Sequence, residues 1–177
     1  MKATGVVRRI DELGRIVIPK EIRKNLRIRD GESIEIFTDS LNQIILKKYS
    51  LSEDYTLIIK SYIESIYSIL KKDILVTDRD NFIAVSGDIK KNYDQKNISN
   101  YLLNLISNRE SVKSETFEKL ELINGSNLDC SYIINPILSN GECIGLLIIL
   151  SNEEKISSID EKVIQVASQF LGKYIEN

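Results

Sequence analysis

The chain has 177 residues, of which 42% are hydrophobic and 28% are charged, and its formal net charge is −2. These values are typical of a globular protein with one ordinary domain or two small ones, and they exclude a largely disordered chain. No segment approaches the roughly 18 apolar residues that a membrane-spanning helix needs, and the N-terminus lacks the apolar core of a signal peptide. We therefore expect a cytoplasmic protein with no membrane partner.

The residue types present limit the chemistry that the chain can perform. It has no histidine, which removes Ser-His and Cys-His nucleophile pairs, imidazole metal ligands and imidazole bases. Its two cysteines, Cys130 and Cys143, fit no metal-ligand spacing and are expected as core thiols. No glycine-rich phosphate loop and no hydrolase or metalloprotease motif is present. We predict a protein that is not an enzyme, with no catalytic residue, no metal site and no cofactor.

Positive charge is concentrated at the N-terminus. Residues 1–48 contain eleven Lys or Arg against seven Asp or Glu, whereas residues 49–177 contain 13 basic and 19 acidic residues. Clustered Lys and Arg attract the phosphate backbone of nucleic acids, although a charged run can also be no more than a solvated face. The asymmetry points to a nucleic-acid partner for the N-terminal segment.

The first predicted element is a hairpin followed by a short helix. Apolar and β-branched runs at residues 5–10 and 15–18 flank the turn at residues 11–14. Pro19 ends the second run and suits the first turn of a helix over residues 20–26.

A second hairpin is predicted from strands at residues 33–38 and 43–46, joined by a turn at residues 39–42. Two hairpins and one short helix in about 50 residues bury little surface by themselves. We therefore expect a homo-oligomer in which two copies interleave their hairpins into one closed sheet.

The N-terminal sequence contains a specific combination of motifs. It reads ATGVVRRIDELGRIVIPKEIRKNLRI, followed by SIEIF and IILKKY, and its GRIVIPKEIR core joins a strand, a proline and a basic helix in fixed order. In this it resembles the AbrB and MazE swapped-hairpin family, and most closely the transition-state regulators. The resemblance implies a dimeric looped-hinge domain that binds double-stranded DNA in the major groove. Over essentially its whole length the chain is similar to regulators from spore-forming bacteria.

The same resemblance implies which residues bind DNA. The positions that match the family are Arg8, Arg15, Arg23 and Lys24, and their neighbours with suitable charge are Lys2, Arg9 and Lys20. Adjacent strand residues point to opposite faces, so we favour Arg8 over Arg9 for DNA contact. Lys24 keeps the charge but lacks the planar fork with which arginine grips guanine or phosphate. Contact with DNA and a merely solvated side chain stay equally open for Arg9, Lys20, Arg27 and Arg29.

A long helix is predicted after the second hairpin. Ser50-x-x-Glu53 is a capping box, and the helix should run to about Lys71. Its apolar residues repeat at intervals of four and three, which is typical of a helical seam. These predicted oligomerisation residues are Tyr55, Ile59, Tyr62, Ile66 and Ile69. The seam either joins subunits in a bundle or packs within its own domain, and the pattern favours neither.

Residues 74–177 predict a separate α+β unit that follows a DNA-binding domain at 1–50 and a linker helix at 51–73. Its expected strands cover residues 74–77, 82–86, 120–123, 132–138 and 143–150, with a helix at 98–106. Ser158-x-x-Glu161 should cap a last helix. The side chains expected to face inward from this helix are Val163, Val166, Ala167, Phe170, Leu171 and Tyr174. No internal repeat is apparent.

This order of elements resembles the GAF fold, an α/β sandwich, which implies a site for small molecules between the sheet and its helices. The Asn-Lys-Phe-Asp-Glu signature of cyclic-nucleotide GAF domains is missing, so no ligand is named. Ser86, Gly87, Lys90 and Lys91 follow a strand, where they form either an anion site or a solvated loop. The domain is expected to pair dimers into tetramers, to sense an unknown small-molecule ligand, or both.

The leading functional hypothesis is a sequence-specific DNA-binding transcription regulator of late sporulation genes in the forespore. The fold class is α+β, with an AbrB-type β-barrel formed by a dimer and a GAF-like domain. The alternative is an antitoxin-like autorepressor that binds a toxin partner. Antitoxins usually end in an unstructured toxin-wrapping tail, whereas this chain ends in a periodic, capped helix, which favours the first hypothesis.

Overall fold

The computed structural model describes residues 5–26, 28, 30–31, 34–48 and 53–175. The chain divides into two compact units, Met1–Ser50 and Leu51–Asn177. Among the helices in these described ranges, none combines the length and the apolar character needed to cross a membrane.

The first unit contains one short helix and one paired hairpin. Helix α1 spans Lys20–Asn25, and strands β1 (Ile34–Thr38) and β2 (Ile44–Lys48) pair antiparallel with Ile36 opposite Leu46. The predicted helix and second hairpin are therefore confirmed to within two residues at their ends. Nothing in residues 5–26, 28, 30–31 and 34–47 is fully buried, so these residues form no core within one chain.

The first predicted hairpin forms its turn but not its strands. The Asp11 amide donates to the Arg15 carbonyl at 3.1 Å, and the Gly14 amide donates to the Asp11 carbonyl at 2.9 Å. Residues 5–10 and 15–18 are not strands, which corrects the prediction for a single chain. The physical reason is that a strand needs a ladder of hydrogen bonds to a neighbour, and these arms share only the bond that closes the turn. Their apolar side chains stay exposed, Val7 to 87% and Val17 to 72%.

The second unit combines a five-stranded antiparallel sheet with four helices among its described residues. In chain order its elements are α2 (Glu53–Leu70), β3 (Asp73–Thr77), β4 (Phe82–Ser86), α3 (Lys90–Tyr93), α4 (Asn100–Asn108), β5 (Val112–Ile123), β6 (Ser126–Ser139), β7 (Glu142–Ser151) and α5 (Ser158–Ile175). The strand order is β4-β3-β7-β6-β5. Each predicted strand is present, and β5 begins eight residues earlier than expected.

Apolar side chains cover both faces of this sheet. One core cluster lies with α3 and α4 and includes Phe82, Leu102 and Leu146. The other lies with α2 and α5 and includes Ile59, Leu147 and Leu171. Strand β7 contributes to both clusters because successive strand residues point to opposite faces. The unit is therefore a three-layer sandwich with the sheet in the middle.

Helix α5 begins with a capping box one residue earlier than predicted. The Asp160 amide donates to the Ser157 hydroxyl at 3.4 Å, and the Asp160 carboxylate accepts from the Ser157 amide at 2.7 Å. The sequence satisfies the pattern at both Ser157-x-x-Asp160 and Ser158-x-x-Glu161. Asp160 is 2% exposed. Burial of its carboxylate selects the box that starts at Ser157 over the one that starts at Ser158.

A buried ion pair joins the end of α2 to the start of α5. Lys72 Nζ lies 2.6 Å from Asp160 Oδ2 and donates to the Lys155 carbonyl at 3.0 Å. Burial alone would raise the pKa of Asp160, but hydrogen bonds from Lys72 and Ser157 outweigh it and hold the pKa below its usual value.

Two side chains predicted to face inward from α5 face outward instead. Val166 is 66% exposed and Phe170 is 42% exposed, whereas Ala167 and Leu171 are buried against the sheet. The apolar residues of α5 form two stripes, and one helix face alone can contact the sheet. Helix α5 packs closely on strand β6 at Gly172, because a Cβ on this residue would lie 2.1 Å from the Leu138 carbonyl oxygen.

Candidate nucleic-acid interface

The turn of the first hairpin is built around the carboxylate of Asp11. Asp11 Oδ1 accepts from the Leu13 amide at 3.0 Å and from the Arg15 amide at 2.8 Å. Gly14 adopts φ +75°, a left-handed conformation that glycine tolerates without steric cost. These bonds give an exposed segment a defined shape with a basic residue at its end.

Arg15 is held by the same carboxylate. Arg15 Nε donates to Asp11 Oδ2 at 2.7 Å, while the Arg15 side chain stays 71% exposed. Hydrogen bonds from the Arg15 backbone amide and from its guanidinium hold the pKa of Asp11 below the usual value. Asp11 is therefore ionised at neutral pH, and the pairing persists down to acidic pH.

The other predicted DNA-binding residues differ in exposure. Arg8 and Arg9 precede the turn, Lys20 and Lys24 lie on α1, and all four are exposed. Lys2 lies outside the described residues, as do Arg27 and Arg29. The first unit thus presents a set of exposed cations, with Arg8 and Arg15 on either side of one turn.

Arg23 lies on α1 but is partly buried and already paired. Its Nη1 donates to the carboxylate of Asp30, and its Nε is buried without an acceptor among the described residues. A guanidinium in this position helps to hold the segment after α1 against the helix. Among Arg8, Arg15, Arg23 and Lys24, Arg23 has the least exposed side chain.

Most of the predicted helical seam packs within its own unit. Ile59 is fully buried, and Tyr55, Tyr62 and Ile66 pack against the same core cluster. Ile69 differs from them because it is 80% exposed. In a single chain these four side chains contribute to the core of their own unit, and a role of the seam between subunits stays a prediction.

The loop after β4 is occupied by an acidic group. A Cβ on Gly87 would lie 2.0 Å from Asp73 Oδ1, and burial raises the pKa of the Asp73 carboxyl. Lys90 pairs with Glu64 at 3.5 Å, and Lys91 is exposed. A carboxylate beside Gly87 would repel an anion. Of the two alternatives for this segment, the arrangement therefore favours a solvated loop over an anion site.

Both cysteines are buried thiols, as expected. Burial, together with the charges of Asp129 and Asp73, raises the pKa of Cys130 to about 12, and burial also raises the pKa of Cys143. Within the ranges that the structure describes, no group of three or more His, Cys, Asp or Glu side chains could hold a metal ion.

Sequence reasoning missed the acidic residues that organise the first unit. Asp11, Asp30 and Asp39 each bind a backbone amide or an arginine, whereas the sequence predicts only turns at residues 11–14 and 39–42. A signal was available, because Asp11-Glu12-Leu13-Gly14-Arg15 and Asp39-Ser40-Leu41-Asn42-Gln43 share Asp and Leu at matching positions.

Comparisons with known proteins match both units. Residues 56–176 match the family described as stage V sporulation protein T C-terminal, transcription factor, and residues 7–54 match the family described as antidote-toxin recognition MazE, bacterial antitoxin. The chain is 44% identical over 177 residues to stage V sporulation protein T of Bacillus subtilis (strain 168), covering 99% of each chain. It is 55% identical over 49 residues to the transition state regulatory protein AbrB of the same organism, covering 28% of this chain and 50% of AbrB.

The fold of the second unit is similar to that of a solved GAF domain. The cofactor binding GAF domain of the nutrient sensor CodY from Clostridium difficile superposes with a TM-score of 0.55 and 16% identity, over 88% of this chain and 94% of that one. The predicted α+β fold, with an AbrB-type N-terminal domain and a GAF-like domain, is confirmed. The chain belongs to the stage V sporulation protein T family of transcription factors.

Proposed function

We propose that the protein binds specific DNA sites as a dimer through residues 1–50 and regulates late sporulation genes in the bacterial cytoplasm, without enzymatic activity. One observation carries this proposal. The first unit combines exposed cations with exposed apolar arms, and its described residues include no buried side chain. Such a unit can bury its apolar surface against a second copy and can bind a polyanion through its cations.

The apolar arms support a dimer. In the single chain Ile10 is 65% exposed, Leu13 75% and Ile16 52%. Their backbone groups have no ladder partner among the described residues, and unpaired edges of this kind readily pair with another chain. A second copy can supply the missing strands, and a two-fold axis then duplicates the basic surface. This arrangement suits a DNA site with two half-sites.

The exposed cations support DNA as the ligand. We assign DNA contact to Arg8, Arg15, Arg23 and Lys24, with Lys2, Arg9 and Lys20 as flanking charges. Neutralising phosphates with such side chains releases counterions, so binding should weaken steeply as salt increases. Arg23 needs its pairing with Asp30 to exchange for DNA, so we expect a smaller contribution from it.

An exposed apolar face on the second unit supports a tetramer. Ile58 and Ile69 on α2 are 41% and 80% exposed, and Val166 and Phe170 on α5 are 66% and 42% exposed. Tyr62 connects the two helices through its ring contact with Phe170, at 4.8 Å between centroids. We assign this α2-α5 face to self-association that links dimers. Val166→Glu with Phe170→Glu should then halve the mass in light scattering, and an unchanged mass would refute the assignment.

The DNA-binding proposal is tested by fluorescence anisotropy of the full chain on genomic promoter fragments and on random DNA, at several salt concentrations. Specific sites should bind about a thousandfold more tightly than random DNA. The double change Arg8→Ala with Arg15→Ala should remove the specific complex and reduce the salt dependence. A matched control is Lys96→Ala with Lys119→Ala, which removes the same charge from exposed positions of the second unit.

Either of two results would overturn the proposal. If wild type binds no fragment better than random DNA, the protein is not a sequence-specific regulator. If the control change weakens binding as much as the arginine change, DNA is recognised by net charge and the assigned surface is wrong.

An antitoxin-like autorepressor is the second candidate, and the match of residues 7–54 to the MazE family favours it. A small toxin that co-purifies with the chain at fixed stoichiometry would establish this function. The described helix α5 is packed on its sheet, so the C-terminal unit does not supply the unstructured tail with which antitoxins usually wrap their toxins.

A further inference from the structure

The first unit contains two loops of the same construction. In Asp11–Arg15 and in Asp39–Gln43, the aspartate amide donates to the carbonyl of the fifth residue, and the amide of the fourth donates to the aspartate carbonyl. In both, one aspartate oxygen accepts from the third and fifth amides, at 3.0 and 2.8 Å in the first loop and 2.9 and 2.9 Å in the second. The fourth residues, Gly14 and Asn42, both have positive φ.

The two loops differ in what the second aspartate oxygen does. Asp11 Oδ2 accepts from Arg15 Nε, whereas Asp39 shows no bond to the side chain of Gln43 among the described contacts. The loop itself is therefore closed without the ion pair. The Asp11–Arg15 contact is an addition to a fold that forms in its absence.

The contact uses one specific part of the guanidinium. It engages Nε and leaves the two terminal nitrogens of Arg15 without an acceptor among the described residues. Those two nitrogens form the planar fork that binds a pair of acceptors on one base edge, such as O6 and N7 of guanine. A side chain already held in one rotamer also loses less entropy on binding.

The carboxylate also affects which DNA group Arg15 prefers. A negative charge beside the guanidinium cancels much of its attraction for a phosphate, which is itself an anion. Base-edge acceptors are neutral and suffer no such repulsion. Arg8 has no ion pair in the described structure and keeps its full attraction for phosphate.

From these contacts we propose that Asp11 is a positioning residue that sets sequence specificity, by holding Arg15 so that its two terminal nitrogens read a base edge rather than a phosphate. The inference rests on the proposed DNA-binding function. It assigns base reading to Arg15 and leaves Asp11 itself without contact to DNA.

The test replaces the carboxylate with an amide in each loop of the full-length protein. Asp11→Asn keeps the oxygen that accepts from the two backbone amides but removes the acceptor for Arg15 Nε. We expect affinity for DNA sites selected from a random duplex library by the wild-type protein to fall about tenfold, as for the loss of one base contact. Affinity for random DNA should stay equal or rise, because a negative charge is lost. Asp39→Asn makes the same replacement in the second loop and should leave both affinities within about twofold.

A double-mutant cycle with Arg15→Ala separates positioning from a structural role. If Asp11 acts through Arg15, then Asp11→Asn should change specific binding in the wild-type background and have no further effect in Arg15→Ala. Equal loss of specific and random binding, the same effect in both backgrounds, or no effect at all would overturn the inference. Failure of the wild-type protein to enrich any site would instead overturn the DNA-binding proposal.

Discussion

The two units of this chain differ in whether their apolar residues are buried. In residues 51–177 the sheet is covered on both faces, and Phe82, Leu75 and Ile134 are fully buried. In the described residues of the first unit no side chain is buried, although Val7, Leu13 and Val17 are as apolar as those in the core. The second unit therefore has its own core, whereas the first, in our proposal, buries its apolar arms against a second copy.

The largest expected effect is on the second unit. Phe82→Ala removes a fully buried ring and should lower the free energy of unfolding of this unit by about 3–5 kcal/mol. Phe117→Ala, at a residue 46% exposed, is the matched control and should cost below about 1 kcal/mol. Urea unfolding followed by circular dichroism measures both. A cost for Phe82→Ala close to that of Phe117→Ala would mean that this core is loosely packed.

Thiol reactivity reports whether the core of the second unit is closed to solvent. The pKa of Cys130 rises from 9.0 to about 12, so at pH 8 its thiolate fraction is lower by about a thousandfold. A disulfide reagent should leave both thiols intact in the native protein and modify both in urea. The raised pKa also favours the folded state below pH 9 and ceases to do so as pH rises from 9 to 12. Rapid labelling of the native protein at pH 8 would contradict the closed core.

Protein concentration should affect the first unit and not the second. If the first unit folds as a dimer, its free energy of unfolding should rise by about 1.4 kcal/mol for each tenfold increase in concentration. The measurement uses Val166→Glu with Phe170→Glu as background, so that contacts between second units add no dependence of their own. Between 1 and 100 μM the expected rise in the free energy of unfolding is about 2.7 kcal/mol. An unfolding midpoint of the first unit that does not change over this range would show that it folds as a monomer.

The smallest effect compares the two similar loops of the first unit. Gly14→Ala places a Cβ at φ +75° and should cost about 1 kcal/mol, whereas Asn42→Gly, at φ 58°, should change stability by less than about 0.5 kcal/mol. Unfolding midpoints at one fixed protein concentration would show the difference. Equal midpoints for Gly14→Ala and wild type would mean that the first loop does not keep this conformation in the assembled protein.

Sequence reasoning worked best where a pattern has one physical meaning. The apolar runs of β4 and β7 are short and contain β-branched residues, which is typical of buried strands, and both strands are where they were predicted. Strand β5 was predicted too short because residues 112–119 are mostly polar, as suits the exposed edge of a sheet.

The errors arose where one pattern serves two purposes. Val166 and Phe170 fit an inward-facing helix stripe as well as a second, outward stripe, and sequence cannot say which stripe meets the sheet. Of the proposed DNA site, the cationic residues follow from charge and resemblance and stay a prediction. The Asp11–Arg15 and Arg23–Asp30 pairs could not, because attraction between two charges depends on a backbone geometry that composition does not specify.

The buried pair of Lys72 and Asp160 constrains how this protein can change over time. Removing Lys72 leaves the buried carboxylate of Asp160 without its cation, at a cost of about 3–5 kcal/mol, whereas replacing both partners with apolar residues is often neutral. That cost is a large share of the total stability of a domain. In descendants of this sequence we therefore expect Lys72 and Asp160 to be retained together or replaced together.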